Sequence, residues 1–338
     1  MKVFITGGTG FVGTRFQQLF AEREIDTIRY DLHPPTGGDS SDYVRGDVRD
    51  AAALTAAMKG CDAVLHLAAA HHDFGITSKT FHDVNVQGMQ NVCDAMTANG
   101  INQLCFYSTV AIYGSQDFPN EETSPAPESD YGKTKLEAEV VCRQWCEQSS
   151  ANQCLTMRPT VIFGNNNFAN MFFLIRQIDS GKFLRVGQME NIKSLAFIDN
   201  VAATTLELWL DQQQQRQGYE YFNYIDKPDL TSWDIATAVY EGLEKKPSSI
   251  RVPYGLAKVL AIPFDLIIAA TGKNLPVSSA RIKKLAKATT QFDATKVHAV
   301  SNASKTSIPD AIRKMAAWFK SEGKSKPQPE RRPPESVQ

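Results

Sequence analysis

No stretch of 18 consecutive apolar residues occurs in the 338-residue chain, so no helix is expected to span a bilayer. No Cys-x-x-Cys pair occurs either. The six cysteines (Cys61, Cys93, Cys105, Cys142, Cys146 and Cys154) are scattered through the first half. That spacing argues against a zinc ribbon or a disulfide framework and predicts buried free thiols. His71, His72 and His82 lack a carboxylate or thiol at ligand spacing, so no metal site is expected. Charge of one sign is lacking too. Lys and Arg number 36 against 37 Asp and Glu, which excludes a chain-wide basic footprint, and no nucleic-acid partner is expected. Met1 to Ile5 is too short for a secretory apolar region, which places the protein in the cytoplasm as an expectation.

What is present reads as a globular α/β protein. Hydrophobic residues make up 42% of the chain, enough for a large core. Short β-rich runs alternate with amphipathic helical stretches. Strands are expected at 2–6, 27–31, 43–47, 62–70, 103–108 and 153–158. Helices are expected at 11–24, 50–58, 81–98 and 131–148. That alternation predicts a doubly wound parallel sheet of Rossmann type. It covers residues 1–164, with later segments returning to it. Residues 165–320 are expected to form mainly a smaller substrate domain, and 321–338, rich in proline and charge, a disordered tail.

Gly7-x-x-Gly10-x-x-Gly13 falls where the first strand meets the first helix. Such glycines permit a tight turn, close approach of backbone to a pyrophosphate, and close helix–strand packing at a helix N-terminus. Asp31 ends the second strand, 18 residues after Gly13, where a carboxylate can accept from ribose hydroxyls and repel a 2′-phosphate. NAD is therefore the expected cofactor. Asp47-Val48 follows the third strand, where adenine should lie. Ala68-Ala69-Ala70 ends the fourth with small side chains.

Tyr131 and Lys135 open a helix four residues apart and so share one face. A phenol ionises near pH 10 and is a poor base unless a neighbouring ammonium favours the phenolate. Ser108-Thr109 ends the fifth strand and supplies a hydroxyl, and Asn85 stands in the preceding helix as a candidate to position water near Lys135.

These residues sit in segments that resemble the NAD-dependent epimerase/dehydratase family of extended short-chain dehydrogenases/reductases. The segments are TGGTGFVG, GDVRD, LHLAAA, NVQG, YSTVAIYG, YGKTK and RPTVIFG, in the family's order from residue 6 to 164. The resemblance implies catalytic roles for Thr109, Tyr131, Lys135 and Asn85. It implies cofactor contacts at Gly7, Gly10, Phe11, Val12, Gly13, Asp31, Asp47, Val48, Leu67, Ala68, Ala69, Tyr131 and Lys135. Family dehydratases carry Asp-Glu directly after the catalytic Thr, and family decarboxylases a Glu at the second of those positions. Here Val110-Ala111 stands there, which leaves C4 epimerisation or net oxidation/reduction.

The second half resembles a subgroup of surface-polysaccharide (O-antigen) synthesis that acts on diphosphate-linked amino sugars. NNNFANMFFLIRQIDSGKF and NIKSLAFIDNVA carry this likeness. Substrate contacts are implied at His71, Thr109, Asn170 and Lys193. The nucleotide-sugar enzymes of the family clamp the diphosphate with an Arg where this chain has Lys193, and Lys lacks Arg's bidentate fork. A polyprenyl-linked sugar diphosphate is the expected substrate. UDP-linked sugars, and a sugar or hydroxysteroid-type dehydrogenase, stay open as alternatives. The apolar stretch from Tyr254 to Ala270 either packs in the core or rests on a membrane surface, with Arg281, Lys283, Lys284 and Lys287 nearby. A homodimer with peripheral contact at the inner face of the cytoplasmic membrane is the expected assembly.

Overall fold

A computed structural model describes residues 1–36, 40–71, 76–248, 250–271, 289–303 and 305–328. His72, Asp73 and the basic residues Arg281, Lys283, Lys284 and Lys287 lie outside the described residues, as do the side chains of 264 and 266–271. In chain order the first half runs β1 (Lys2–Thr6), α1 (Phe11–Glu22), β2 (Asp26–Asp31), β3 (Tyr43–Arg45), α2 (Ala51–Ala57), β4 (Ala63–His66), α3 (Ser78–His82), α4 (Gly88–Ala98), β5 (Gln103–Tyr107), α5 (Asp130–Glu147) and β6 (Gln153–Pro159). The second half adds β7 (Val161–Phe163), α6 (Asn170–Asp179), β8 (Arg185–Val186), β9 (Ile192–Phe197), α7 (Ile198–Leu206), β10 (Gly218–Tyr224), β11 (Asp226–Thr231), α8 (Ser232–Gly242), β12 (Arg251–Val252), α9 (Tyr254–Thr271), α10 (Thr295–Val300) and α11 (Ile308–Trp318).

Seven parallel strands form the main sheet in the order β10-β6-β5-β4-β1-β2-β3. The chain builds outward from β1 to β3, then returns to the other side of β1 as β4. That reversal opens a crevice at the carboxyl ends of β1 and β4, the place where doubly wound sheets bind ligands. All four residues of β4 are buried, as a strand covered on both faces requires. The tenth strand comes from the second half and closes the sheet edge beside β6. Two small sheets, β11-β9-β7 and β12-β8, belong to the second half.

Local chemistry fixes the helix starts that matter here. The Asp50 carboxylate accepts from the Ala53 amide at 3.0 Å and begins α2. Ser129 Oγ accepts from the Gly132 amide at 3.1 Å and begins α5. A π turn over Asp83–Gln87 joins α3 to α4 and turns Asn85 into the core. All six cysteines are buried free thiols.

Two expectations need correction. The strand expected to run to Ala70 stops at His66, because the Leu67 and Ala68 amides turn in to the Thr6 hydroxyl at 3.2 Å. Of the tail expected to be disordered from 321 to 338, residues 321–326 are folded, and 329–338 lie outside the described residues. A π turn over Phe319–Gly323 continues α11, and Gly323 packs so closely on Trp318 that a Cβ there would lie 2.7 Å from the indole. Lys324 and Lys326 then reach Asp179 and Asn166 at 2.8 and 2.9 Å.

Candidate active site

The crevice at the β1/β4 reversal has a volume of about 1220 Å³. Gly7, Gly10 and Phe11 line it beside Asp31, Asp47, Val48, Leu67, Ala68 and Ala69. Gly7 has φ +66°, and a Cβ on it would lie 2.8 Å from the Ala68 amide nitrogen. A Cβ on Gly13 would lie 2.6 Å from the Gly7 carbonyl oxygen, so this third glycine lets α1 start tight against the loop. Gly10 meets only the Gly7 carbonyl oxygen, at 3.2 Å, and lines the crevice. Val12 stands behind it in the first turn of α1 and does not line the crevice.

Asp31 braces the loop. Its carboxylate accepts from the Thr9 amide and the His33 amide, both at 3.2 Å. Asp47 is gripped by Arg49, whose Nε lies 3.0 Å from each carboxylate oxygen. Tyr30 donates to the Asp47 carbonyl at 3.1 Å, and burial pushes its phenol up to about 12. Asn91 donates to the Val48 carbonyl at 2.9 Å. These bonds fix the backbone along one side of the crevice.

Behind the crevice, Thr6 Oγ1 accepts from the Leu67 and Ala68 amides, so its own hydrogen goes to His66 Nδ1 at 2.7 Å. Burial, helped by the Lys135 charge, lowers His66 to about 3, which keeps the ring neutral as that bond requires. The buried histidine thus shapes the Leu67–Ala68 backbone.

Thr109, two residues after β5, meets Tyr131 at the start of α5, and Lys135 stands one turn further along that helix. Thr109 ends the strand extended and caps the turn over Val110–Tyr113, its Oγ1 accepting from the Ala111 amide at 3.1 Å. Tyr131 is half-buried in the first turn of α5. Burial pushes its phenol up to about 12, and a hydrogen bond to Thr109 pulls it back. Lys135 is 2% exposed, with its ammonium 4.2 Å from the centre of the Phe106 ring. Burial lowers it to about 7, while Cys142 and Glu139 oppose that shift. An ammonium held so cheaply deprotonated responds strongly to any charge placed beside it.

Asn85 does not face open space. Its side chain accepts from the Ala70 amide at 2.8 Å and donates to the Ala70 carbonyl at 3.1 Å and Thr134 Oγ1 at 3.0 Å. It bolts the loop after β4 to α5, one residue before Lys135. His71 lines the crevice, its Nδ1 3.1 Å from the Ala69 carbonyl. Asn170 is exposed at the start of α6, just beyond the crevice-lining Asn167 and Phe168. Lys193 lies on β9, bridged to Thr290 and paired with Leu230.

Part of the wall was not anticipated from sequence. Arg15, Asn165, Asn166, Asp199, Lys314 and Lys326 also line the crevice. Arg15 Nε holds Asp199 at 2.7 Å across 184 residues of chain. No local pattern marks such contacts, because each partner is ordinary in its own segment.

A glycine loop at the β1/β4 switch point, a carboxylate at the end of β2 and a Tyr–Lys pair one turn apart on α5 fit a dinucleotide-dependent enzyme of the extended short-chain type. The NAD dependent epimerase/dehydratase family model matches residues 3–223, and the chain belongs to that family. Its cofactor is NAD. The N-acetyl-alpha-D-glucosaminyl-diphospho-ditrans,octacis-undecaprenol 4-epimerase of Escherichia coli O157:H7 is 40% identical over 303 residues, 88% of each chain. The UDP-glucose 4-epimerase of Vibrio cholerae is 25% identical, over 80% of this chain and 85% of that one. Among solved structures, the UDP-N-acetylglucosamine 4-epimerase of Bacillus cereus shares the fold with a TM-score of 0.72 at 20% identity, covering 94% of this chain and 98% of that one. The UDP-glucuronic acid 4-epimerase of Bacillus cereus, in complex with NAD, gives 0.73 at 19%, covering 95% and 99%.

Proposed function

We propose that the protein is an NAD-dependent C4 epimerase of a diphosphate-linked amino sugar, converting N-acetylglucosaminyl-diphospho-undecaprenol to its galacto epimer for surface-polysaccharide synthesis. One observation carries the reaction type. Thr109 and Tyr131 share a hydrogen bond, with Lys135 one turn further along α5, while the two positions after Thr109, Val110 and Ala111, hold no group that can move a proton. Elimination of water needs such a group, and C4 epimerisation does not.

Gly7, Gly10, Phe11, Asp31, Asp47, Val48 and the Leu67–Ala69 backbone would hold the cofactor, with Tyr131 and Lys135 at its nicotinamide end. When bound, NAD would supply the hydride acceptor and donor that inversion at C4 requires. Tyr131 takes the proton from the C4 hydroxyl and gives it back after the sugar turns over. Thr109 shares a hydrogen bond with that phenol and orients the hydroxyl. Lys135, as ammonium, favours the phenolate. His71, Asn170 and Lys193 would contact the sugar diphosphate.

The reading extends to the carrier. Leu256, Val259, Leu260 and Ile262 on α9 are each at least half exposed, and only Ala257 and Ala261 of the described side chains are buried. This runs against core packing for residues 254–263, the part of the stretch with continuously described side chains. An apolar helix face open to solvent, with Lys258 exposed among it, suits a bilayer surface at the inner face of the cytoplasmic membrane. Among the described residues no helix is long and apolar enough to cross a membrane. A homodimer is part of this reading, and sedimentation would test it.

The decisive assay offers undecaprenyl-linked and UDP-linked GlcNAc side by side. Galacto product from the lipid-linked sugar, without added NADH and without net absorbance change at 340 nm, is expected. Efficient turnover of UDP-GlcNAc alone would overturn the carrier. Net NADH formation would turn the enzyme into a dehydrogenase.

A further inference from the structure

Glu139 is 1% exposed and Arg158 is 3% exposed, and the two form an ion pair inside the main sheet's flank. Arg158 Nε donates to Glu139 Oε1 at 2.9 Å, and Nη2 donates to Oε2. Ser108 Oγ donates to the same Oε1, and Tyr219 donates to Oε2 at 3.2 Å. Arg158 Nη1 donates onward to the Tyr113 hydroxyl at 2.8 Å, which donates to Asn223 Oδ1 at 2.9 Å. Four elements meet here: the ends of β5 and β6, β10, and α5.

A buried pair of this kind adds little to stability over well-packed apolar residues, so its position asks for another explanation. Ser108 is the neighbour of Thr109, and side chains alternate across a strand. Ser108 turns in to Glu139 while Thr109 turns out to Tyr131. On α5, Glu139 follows Lys135 by one turn and Tyr131 by two, on the same face.

We propose that Glu139 is a positioning residue of this active site: clamped by Arg158, its carboxylate ties the strand end that carries Thr109 to the helix that carries Tyr131 and Lys135. It rests on the catalytic roles proposed above. The groups facing Glu139 are Arg158 from β6, Ser108 after β5, Tyr219 from β10, the Cys154 thiol, and Lys135 one turn before it. Those facing Lys135 are Glu139 and Cys142 on its own helix, His66 from β4 and the Phe106 ring from β5. The Glu139 carboxylate is the acidic group facing Lys135, so it also opposes the loss of the Lys135 proton.

Ser108→Ala tests the clamp without breaking the ion pair. Full-length, NAD-loaded protein carrying 13Cζ-tyrosine is titrated by NMR, with Tyr131 assigned from the Tyr131→Phe spectrum. Loosening Thr109 removes a hydrogen bond that favours the phenolate, so the Tyr131 midpoint is expected to rise by about one pH unit. Turnover is expected to fall roughly ten- to a hundredfold with KM unchanged, as for a misplaced reacting group. Glu139→Gln is expected to do the same and to move the alkaline limb of kcat to lower pH. If that variant does not fold, Ser108→Ala decides alone. An unmoved Tyr131 midpoint in folded Ser108→Ala overturns the proposal. This readout needs no sugar, so it stands even if the epimerase reading fails, whereas a wild type inactive on both carriers would sink that reading alone.

Discussion

Lys135→Met offers a direct measure of how far the fold has bent its own active site. The ammonium is buried beside Phe106 and lowered from its ordinary value of 10.5 to about 7. Between those values the unfolded chain holds a proton that the folded chain has released. Stability therefore rises with pH across that window, by about 1.4 kcal/mol per pH unit from this group alone. The rise begins near pH 7 and is complete near 10.5. Met keeps the length and removes the charge, so the variant lacks this slope. Urea unfolding of cofactor-free protein at about pH 6 and about pH 9 should show the wild type gaining roughly 2–3 kcal/mol relative to the variant. Other titrating groups cancel in that difference. His66, whose shift depends partly on Lys135, stays neutral in both proteins throughout this range. At the lower pH the variant should be the more stable protein, although it should be catalytically crippled. Parallel stability curves for the two proteins would show that Lys135 is not held against its charge, and that burial beside Phe106 costs its ammonium little.

Other outcomes follow from the same geometry. Tyr131→Phe should cut turnover by about 10²–10⁴-fold while NAD remains bound through gel filtration, since the ring stays and only the acid–base oxygen goes. Asp31→Ala should weaken NAD binding and narrow the gap between NAD and NADP. Calorimetry with both cofactors reads this, and equal binding by the wild type would contradict it. Gly13→Ala would place a methyl 2.6 Å from the Gly7 carbonyl oxygen and 2.7 Å from Gly8 Cα, both backbone atoms. It should cost about 1–3 kcal/mol in thermal or urea unfolding and loosen NAD. Gly255→Ala, where a Cβ meets nothing within 4 Å, should be neutral. Leu256→Glu with Leu260→Glu should release the protein from anionic vesicles in a flotation assay without lowering its Tm, because both side chains are more than half exposed.

The first half of the fold was legible because its signals are local. Hydrophobic period separates β1 from α1, glycines mark the loop between them, and Asp50 announces α2 by the bond it makes. The π turn at Asp83–Gln87 was not legible. Its sequence reads as continuous helix, and the extra residue is set by the bonds Asn85 makes to Ala70 and Thr134. The return of Gly218–Tyr224 to the main sheet was foreseen only in general terms, since a strand's sheet is chosen by long-range pairing. The segment after 320 misled because proline and charge describe an average, whereas Trp318 and Gly323 make one specific contact.

The proposed active site divides along the same line. Tyr131 and Lys135 could be read from the chain because one helical turn relates them and their chemistry restricts residue type. Glu139 is one turn further along the same helix, equally visible, and yet said nothing by itself. Its meaning comes from Ser108 and Arg158, which arrive from two different strands. The same holds for the crevice wall, where Lys314 and Lys326 face a glycine loop some 300 residues earlier. Residues that carry out proton transfer are constrained by chemistry at short spacing. Residues that hold them in place are constrained only by what the finished fold brings near. A substitution at such a position leaves every local motif intact, so its effect on catalysis has to be sought in the folded protein.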